Sequence, residues 1–250
     1  MSRFEGKVAV LTGAASGIGR ATSQRFAAEG ATVIGVDVNT DGLAETAALV
    51  DAAGGSFEGR GADITDRSAC FDLIDGVITD HGGIDVLANI AGVTRIQHFT
   101  DATEHEIELM MAVNAKGPMF LCQAAIPHLI DRVGNIVNVA SNAGLMGAAY
   151  TVAYCASKGA IVQLTRALAI EYEKTPLRVN AVAPGGVKTP MTEQIPMPAD
   201  IDFDLLAGVM SKRGRARPED IAGVIAFIAS DDASRMNGSI VSVDDGLVAG

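Results

Sequence analysis

The sequence predicts a single α/β domain in which a parallel sheet is covered by helices on both faces. Short runs rich in β-branched residues alternate with helical patterns along the whole 250-residue chain, which is typical of strand–helix–strand units. The runs are almost continuously apolar, as expected for strands that are buried on both faces. Six strands are predicted, within KVAVLTG, ATVIGVD, GIDVLANIAG, GNIVNVAS, LRVNAVAPG and GSIVSVDDG.

The segments between the strands indicate where helices begin and end. The first predicted helix, GRATSQRFAAEG, has Ala21 and Phe26 at apolar positions and is closed by Gly30, because glycine commonly terminates a helix. The helix that precedes the last strand begins at Pro218 and has Glu219 in its first turn. Proline suits the first helical position, and acidic residues suit the positive end of the helix dipole.

One segment, residues 186–217, interrupts the alternation of strands and helices. It contains several prolines and scattered apolar residues. Insertions of this size in a compact domain are usually functional covers or disordered loops. We therefore predict a substrate lid at about 186–217. No linker, low-complexity segment or internal repeat divides the chain, so the lid belongs to one predicted domain that spans residues 1–250.

Composition and charge argue against several classes of function. The formal net charge of −11 disfavours a nucleic-acid partner and an anionic membrane surface. No signal-peptide core or run of about 18 apolar residues is evident. The cysteines and histidines lack CxxC and metal-ligand spacings, so we predict reduced thiols, a cytoplasmic protein and no metal site. These residues are Cys70, Cys122, Cys155, His81, His98, His105 and His128.

A glycine-rich loop directly after the first strand predicts a nucleotide-binding site. Glycines in such a loop allow a tight turn and a close approach of the backbone to a pyrophosphate, and the helix that follows supplies amide donors. The spacing of the glycines departs from G-x-G-x-x-G, and the absence of a Gly-Lys-Ser/Thr ending argues against a P-loop. The candidate binding positions are Gly13, Ser16, Gly17, Ile18 and Gly19.

Asp37, at the end of the second strand, indicates which dinucleotide would bind. A carboxylate at this place can accept hydrogen bonds from both hydroxyls of the adenosine ribose, and it would repel the 2′-phosphate of NADP. Val38 follows Asp37 and Ser16 stands in the glycine loop, so neither place offers an arginine to a 2′-phosphate. We therefore predict NAD as the cofactor.

Three residues predict the chemistry. Tyr154 and Lys158 lie four residues apart in a predicted helix and therefore share one face, and Ser141 lies thirteen residues before Tyr154. An ammonium beside a phenol favours the phenolate and lowers the pKa of the phenol. A serine hydroxyl at the same place could hold a substrate oxygen. A tyrosine and lysine at this spacing also occur as a plain surface pair. Behind a nucleotide loop, however, the set predicts proton transfer to or from an alcohol.

Across essentially the whole chain, these ordered motifs resemble the short-chain dehydrogenase/reductase family in its single-domain form. TGAASGIG resembles the cofactor loop of that family, and Asp63-Ile64 matches the position that meets the adenine ring. Asn89-Ile90-Ala91-Gly92 resembles the Asn-Asn-Ala-Gly turn after the fourth strand, with Ile90 in place of the second asparagine. The resemblance implies a Rossmann-type doubly wound sheet, with Asn89, Ala91 and Gly92 near the cofactor.

Further motifs extend the resemblance to the catalytic positions. Asn114 matches an asparagine that helps to hold a water between the lysine and solvent, and Ser141, Tyr154 and Lys158 match the other three positions. The resemblance implies that Lys158 binds the nicotinamide ribose and that Ser141 orients the substrate oxygen. A segment implied to grip the nicotinamide carboxamide comprises Pro184, Gly185, Val187 and Thr189, and the tail retains Asp245-Gly246.

The predicted function is NAD(H)-dependent interconversion of a secondary alcohol and its ketone, by proton transfer coupled to hydride transfer. The apolar lid favours a hydrophobic or cyclic substrate, steroid-like compounds included. The family likeness also implies a homo-oligomer, a tetramer in particular. The apolar lid positions are Met191, Ile195, Met197, Ile201, Phe203, Leu205, Leu206 and Met210.

Two alternatives remain open. A 3-oxoacyl-thioester reductase, acting on acyl carrier protein or CoA esters, is indicated by the likeness of Ala91–Arg95 to reductases of fatty-acid synthesis and by the basic residues Arg132 and Lys174. Asp37 and the acidic net charge argue against it, because an acidic protein steers poorly towards an acidic carrier. A non-catalytic NAD-binding sensor is the second alternative, which the intact catalytic set disfavours.

Overall fold

The computed structural model of the protein describes residues 2–249, and its centre is one parallel sheet. Within these residues the order is β3-β2-β1-β4-β5-β6-β7, with every neighbouring pair parallel. The strands are β1 (Val8–Thr12), β2 (Thr32–Asp37), β3 (Ser56–Gly61), β4 (Val86–Asn89), β5 (Asn135–Val139), β6 (Arg178–Pro184) and β7 (Ile240–Val243).

Helices cover both faces of this sheet. The described residues form α1 (Gly17–Ala28), α2 (Thr40–Ala52), α3 (Arg67–His81), α4 (Glu104–Met111), α5 (Gly117–Asp131), α6 (Val152–Glu171), α7 (Pro190–Glu193), α8 (Phe203–Ala207) and α9 (Pro218–Ala229). The predicted α/β class with a doubly wound parallel sheet is therefore confirmed. The predicted closure of α1 by Gly30, which has a φ of 96°, and the start of α9 at Pro218 are confirmed as well.

Strand β1 shows why the strands are apolar along their whole length. Val8 and Val10 face a first core that α3 and α5 cover, whereas Ala9 and Leu11 face a second core that α1 and α9 cover. Successive side chains of a strand point to opposite faces, so a strand between two helical layers must be apolar at every position. All five residues of β1 are buried.

The order of the strands creates a crevice at the centre of the sheet. The chain builds outwards from β1 to β3 and then returns, so that β4 pairs with the free side of β1. At such a reversal, the connections after two adjacent parallel strands leave in opposite directions, and ligands bind outside the carboxyl ends of the strands. The loops after β1 and β4 therefore flank the expected site.

Strand β3 was not predicted from the sequence. It lies at the edge of the sheet, and its segment SFEGRG is largely polar with no fully buried residue. Phe57 is only partly buried and packs against the second core. An edge strand that pairs on one side does not need the continuous apolar pattern of a central strand, so the pattern that revealed the other six strands is missing.

A long helical stretch from Glu104 to Asp131 carries one of the predicted catalytic residues. A π turn at Ala112–Lys116 joins α4 to α5, because the amide of Gly117 bonds to the carbonyl of Ala112. By length and composition this is the one described stretch that could cross a membrane, but 56% of its apolar window is buried. Leu121 and Leu129 belong to the first core, so the stretch serves as a core helix.

The lid (residues 186–217) is a loop whose two ends are joined at the edge of the sheet. A bridge pairs Val187 with Ala216. The amide of Lys188 donates to the carbonyl of Ala216, and the amide of Ala216 donates to the carbonyl of Gly186, both at 2.9 Å. Only the short helices α7 and α8 lie between these ends. The lid thus leaves the α/β core and returns to it at neighbouring positions.

Candidate active site

A cavity of about 370 Å³ lies at the carboxyl ends of the central strands. Its lining combines the segments after β1, β2, β3, β4, β5 and β6 with residues of α6 and the first residues of the lid. The sequence-predicted residues on its wall are Gly13, Ser16, Gly17, Ile18, Gly19, Asp37, Asp63, Ile64, Ala91, Gly92, Ser141, Tyr154, Lys158, Pro184, Gly185, Val187 and Thr189. Asn89 and Asn114 do not line it.

The glycine-rich loop forms a cradle that side chains would fill. A Cβ atom at Gly19 would lie 1.9 Å from the carbonyl oxygen of Gly13, and one at Gly13 would lie 3.0 Å from the backbone of Ala91. Gly17 begins α1 with a φ of 51°. The N-cap Ser16 makes no side-chain bond to the first turn, and that turn contains no acidic residue. The helix terminus can therefore direct its amides at an anion such as a diphosphate.

Asp37 places a carboxylate at one end of the cavity. Its two oxygens accept hydrogen bonds from the backbone amides of Ala15, at 3.2 Å, and Asn39, at 3.0 Å. Two carboxylate oxygens offer about four acceptor sites, so capacity remains for ribose hydroxyls. Together with the glycine cradle, Asp37 fits the adenosine diphosphate part of a dinucleotide.

Asp63 and Ile64 lie beside Asp37 on the same wall. The Oδ1 atom of Asp63 accepts hydrogen bonds from the amide and the hydroxyl of Thr65, at 2.9 and 2.8 Å, which orients the carboxyl group. Ile64 contributes an apolar surface and also packs closely on Gly117. The predicted contact with an adenine ring is compatible with this mixed wall.

Thr12 organises the turn after β4 and was not predicted as a site residue. It is buried at the end of β1, and its hydroxyl oxygen accepts hydrogen bonds from the amides of Ile90, at 2.9 Å, and Ala91, at 3.0 Å. These bonds hold the β4 turn against the glycine loop. The available signal was a polar residue at the end of an otherwise apolar strand, where a buried hydroxyl needs a partner.

Asn89 lies inside the sheet rather than on the cavity wall. Its side-chain amide donates to Oδ1 of Asn138 at 2.8 Å, and Asn138 in turn donates to the hydroxyl of Thr165 at 2.9 Å. This buried chain links β4, β5 and α6. Its place indicates that Asn89 supports the site by tying these elements together, not by side-chain contact with a ligand in the cavity.

Asn114 lies in the π turn and holds the turn after β4 through hydrogen bonds to its backbone. Its Oδ1 accepts from the amide of Val93 at 2.8 Å, and its Nδ2 donates to the carbonyl of Val93 at 2.8 Å and to the hydroxyl of Ser157 at 3.0 Å. A Cβ atom on Gly92 would lie 3.3 Å from Asn114 Oδ1 and 3.4 Å from Lys158 Nζ. Asn114 therefore lies close to Lys158 without reaching the cavity itself. Its predicted part in a proton path stays a prediction.

Ser141, Tyr154 and Lys158 come together as their spacing predicts. Ser141 is buried after β5, where its hydroxyl oxygen accepts from the amide of Ala143 at 3.2 Å. Lys158 is 4% exposed, and its ammonium donates to the carbonyl of Val139 at 2.7 Å. The Lys158 Nζ lies 5.9 Å from the centroid of the Tyr154 ring. All three side chains line the cavity.

The pKa of Tyr154 differs from the sequence-based expectation. Burial raises the pKa of the phenol, and the neighbouring Ser141 hydroxyl opposes this effect only in part. Burial also lowers the pKa of Lys158 to about 8, because desolvation disfavours the ammonium. The pKa of Tyr154 is therefore raised and not lowered as predicted in the protein alone, since burial is the largest cause and Lys158 is not among the groups that shift it.

The remaining wall of the cavity comes from the loop after β6 and the start of the lid. Thr189 caps α7, its hydroxyl accepting from the amide of Thr192, and its methyl group lies against Gly17, where an added Cβ atom would be 3.0 Å away. Pro184 and Gly185 continue from β6. Among residues 2–249, no group of three or more His, Cys, Asp or Glu side chains is arranged to hold a metal ion.

Comparisons with known proteins place the chain in a family. A family model described as enoyl-(acyl carrier protein) reductase matches residues 13–248. The chain is 39% identical over 247 residues to 3-oxoacyl-[acyl-carrier-protein] reductase FabG of Thermotoga maritima, covering 98% of this chain and 99% of that protein. It is also 39% identical over 251 residues to meso-2,3-butanediol dehydrogenase of Serratia marcescens, covering 99% and 96%.

A solved structure agrees with these relatives. The short chain dehydrogenase from Mycobacterium paratuberculosis bound to NAD superimposes with a TM-score of 0.89 at 31% identity, over 99% of this chain and 100% of that chain. The match spans the whole sheet, the cavity and the lid. Relatives with 39% identity differ in their named substrates, so identity at this level shows the reaction class and not the substrate. The chain belongs to the short-chain dehydrogenase/reductase family and is an oxidoreductase that acts on CH–OH groups.

Proposed function

We propose that this protein is an NAD(H)-dependent dehydrogenase that interconverts a secondary alcohol and its ketone, with a hydrophobic or cyclic substrate. One observation carries the proposal: Ser141, Tyr154 and Lys158 line the same cavity as the glycine-rich loop and Asp37. The proton-transfer groups and the nucleotide-binding groups thus share one space. Coupled proton and hydride transfer requires such an arrangement.

Tyr154 is the proposed proton carrier. In alcohol oxidation its phenolate oxygen accepts the proton of the substrate hydroxyl, and in carbonyl reduction its phenol donates that proton. NAD, when bound, supplies the hydride acceptor, and NADH the hydride donor. Because burial raises the pKa of Tyr154, the phenol is the main form near neutral pH. The proton donor for carbonyl reduction is therefore present, and alcohol oxidation is favoured by higher pH.

Lys158 and Ser141 complete the proposed machinery. An ammonium has three N–H donors, and Lys158 uses one of them on the carbonyl of Val139. Two donors remain for ribose hydroxyls, and the positive charge stabilises the phenolate as the proton leaves Tyr154. The hydroxyl of Ser141 orients the substrate oxygen towards Tyr154. Asn114 holds the β4 turn behind Lys158 and so keeps the lysine in place.

NAD is proposed rather than NADP because of the charges near Asp37. The carboxylate would repel a 2′-phosphate, and the nearest basic side chain of α1, Arg20, is already engaged. Its guanidinium donates to Glu45 at 2.7 Å and to the hydroxyl of Thr46 at 3.0 Å. The short chain dehydrogenase from Mycobacterium paratuberculosis, which is bound to NAD, supports the same choice.

A panel of alcohols assayed with NAD and NADP in parallel tests both cofactor and substrate class. Asp37→Asn removes the charge, and Asp41→Asn in the first turn of α2 is the matched control. We expect kcat/KM of the wild type to be higher with NAD. Since hydrogen bonds to a charged group contribute about 1.5–3 kcal/mol, Asp37→Asn should reduce the NAD-to-NADP ratio by roughly ten- to a hundredfold. Faster turnover of the wild type with NADP would overturn the cofactor proposal.

The substrate class rests on the lid. Met191 lines the cavity, and further apolar side chains of the lid, such as Phe203 and Leu205, are exposed. Apolar surface of this kind binds substrates that lose water on entry. In the same panel, cyclic and hydrophobic secondary alcohols should give higher kcat/KM than polyols. Activity that is confined to free sugars or small polyols would contradict the substrate proposal.

A 3-oxoacyl-thioester reductase is the second candidate, favoured by the similarity to the FabG protein of Thermotoga maritima. The structure adds an argument against docking of a carrier through Arg132. This side chain donates to Asp85 at 3.3 Å, and Asp85 precedes β4 and accepts from the amide of Val8 at the start of β1. The pair therefore lies at the amino ends of the strands, whereas the cavity lies at their carboxyl ends. Turnover of 3-oxoacyl thioesters above all ketones in the panel would favour this candidate.

A homo-tetramer is proposed from the family likeness. Helix α6 exposes apolar side chains at Val152 (46%) and Ile170 (70%), and surface of this kind is commonly covered by another subunit. Light scattering should give four times the chain mass of 25.7 kDa, whereas a monomer mass would refute the tetramer. Location in the cytoplasm and the absence of nucleic-acid and membrane partners stay predictions.

A further inference from the structure

Tyr150 has a backbone conformation that bulky residues rarely adopt. Its φ is 62°, which lies in the left-handed region that favours glycine and is strained for a tyrosine. Strain of this kind persists only where the surroundings over-determine it, and it clusters at functional sites. Tyr150 lies between Ser141 and Tyr154, immediately before the catalytic helix α6, so the strain is located beside the proposed chemistry.

Three segments of the chain meet at Tyr150. Its carbonyl accepts from the amide of Gln97, at 2.9 Å, in the segment that follows β4. Its phenol oxygen accepts from the amide of Asp202, at 2.9 Å, in the lid. The loop before α6 is therefore tied through one residue both to the segment after β4 and to the lid.

His98 strengthens this junction from the other side. Its ring packs edge-on against the Tyr150 ring, with centroids 5.2 Å apart and an interplanar angle of 86°. Its Nε2 lies 3.0 Å from Oδ1 of Asp200, again in the lid. Asp200 is 79% exposed, and an exposed pair of this kind contributes little alone. The Tyr150 hydroxyl is therefore the stronger of these two polar contacts to a part of the lid in which Ile201 and Leu206 are also buried.

The other lid contacts lie elsewhere. The neck is closed by Val187 and Ala216, and the hydroxyl of Ser211 donates to Asp245 of the C-terminal segment at 2.7 Å. Neither contact involves the stretch 197–206, which contains α8. This stretch depends on Tyr150 and His98 for its polar attachment to the loop before the catalytic helix.

Tyr150 also borders the catalytic tyrosine. A second, small cavity lies between the loop before α6 and the segment after β4, and Tyr150 and Tyr154 are both on its wall together with Gln97. Tyr154 lines the main cavity as well. The loop that Tyr150 fixes to the lid therefore also borders Tyr154.

We propose that Tyr150 is a positioning residue that fixes lid residues 200–206 to the loop before α6, and so holds in place the lid, whose residue Met191 lines the cavity. The inference rests on the proposed function, because the lid residue Met191 is taken to contact the alcohol or ketone. This attachment, the latch, acts on substrate binding. It leaves the proton-transfer step and the nucleotide site unchanged, since Tyr150 touches neither Lys158 nor the glycine loop in the contacts described above.

The test is Tyr150→Phe, which removes only the hydroxyl, with Tyr172→Phe at the C-terminal end of α6 as the matched control. Loss of one neutral hydrogen bond typically changes an equilibrium about three- to tenfold. We expect Tyr150→Phe to raise KM for the alcohol by about this factor, with kcat within about twofold and KM for NAD unchanged. Tyr172→Phe should leave all three constants unchanged.

Hydrogen exchange gives a readout that needs no substrate. The amide of Asp202 donates to Tyr150, so peptides that cover 197–206 should exchange about three- to tenfold faster in Tyr150→Phe and at the wild-type rate in Tyr172→Phe. Faster exchange without any alcohol turnover, even in the wild type, would preserve the latch and refute the proposed function. Unchanged exchange and unchanged KM in an active Tyr150→Phe enzyme would refute the latch alone.

Tyr150→Gly separates the latch from the backbone strain. Glycine adopts a positive φ without steric cost, so this variant keeps the loop conformation while it removes the ring and the hydroxyl. We expect KM for the alcohol to rise further than in Tyr150→Phe, and exchange of 197–206 to be faster still. If Tyr150→Gly kept the wild-type KM and exchange rates, the tyrosine would serve only the local fold and the proposal would fail.

Discussion

The nucleotide end and the lid end of the cavity are built in different ways. At the nucleotide end the wall is backbone, and the approach is so close that a Cβ atom on Gly19 would lie 1.9 Å from the carbonyl of Gly13. At the other end the wall includes the lid residue Met191, and farther along the lid apolar side chains are exposed to solvent, with Phe203 69% and Met210 61% exposed. A larger side chain in the glycine loop would clash with the backbone, whereas the exposed side chains of the lid can be replaced without such a clash.

This difference indicates that one set of residues determines the reaction and that another set, in the lid, determines the substrate. The glycine loop, Asp37 and Ser141 stand at the ends of strands of the central sheet, and Tyr154 and Lys158 lie on α6, which packs against that sheet, so their geometry is a consequence of the fold. The lid is attached to the α/β core by a two-residue neck and a few polar contacts. Relatives that are equally similar to this chain and act on different compounds are expected under such an arrangement.

The largest expected effect is that of Tyr154→Phe, which tests whether chemistry is confined to the fixed part of the cavity. Removal of the hydroxyl takes away the proton donor, so kcat should fall by about 10²–10⁴-fold. The Kd for NADH, measured by fluorescence, should stay within about twofold because the nucleotide contacts are elsewhere. Turnover close to that of the wild type would remove Tyr154 from the mechanism.

Two glycine substitutions compare the glycine loop with the lid. In Gly19→Ala the new methyl group meets the Gly13 carbonyl, so the loop must shift, and we expect NADH affinity to fall about 100-fold together with a lower Tm. Gly208→Ala, in the lid, meets nothing within 4 Å and should leave Kd unchanged and Tm within about 1 °C. Equal losses in the two variants would abolish the proposed contrast.

Lys158→Met tests how much the buried ammonium of Lys158 lowers the free energy of unfolding. The pKa of Lys158 is lowered from 10.5 to about 8, and this shift corresponds to roughly 3 kcal/mol of destabilisation below pH 8. The variant also leaves the Val139 carbonyl without its ammonium partner, and this loss cancels about 1 kcal/mol or more of the stability gained by removing the charge. We therefore expect an inactive protein that is about 1–2 kcal/mol more stable than the wild type at pH 7.

The pH dependence of this difference has a definite sign. Between pH 8 and 10.5 the unfolded wild type binds more protons at Lys158 than the folded wild type does, so wild-type stability rises with pH in this window. The advantage of Lys158→Met should therefore shrink as the pH rises from about 8 towards 10.5. Urea denaturation at pH 7 and pH 10 measures it. An advantage that grows with pH would contradict the assigned pKa shift.

Much of the fold was predictable because central strands leave a strong pattern. Six strands were recognised from apolar runs such as KVAVLTG, and the glycine loop was placed correctly because glycine is the residue type that its close approaches require. Strand β3 was missed because it is largely polar, whereas β7 at the other edge of the sheet was recognised from its apolar run. The lid was recognised as an irregular segment, but its short helices and its bridge between Val187 and Ala216 were not, since they depend on contacts far apart in the chain.

The sequence by itself determined the reaction class, because residue types with few substitutes stand at fixed spacings: glycines at the loop, Asp37 at a strand end, and Ser141, Tyr154 and Lys158. Only the tertiary structure decided how these groups behave. Burial raises the pKa of Tyr154 although a lysine is near, Asn89 bonds to Asn138 inside the sheet, and Tyr150 joins the lid to the loop before α6. Desolvation and long-range contacts are properties of the packed chain, and no local pattern encodes them.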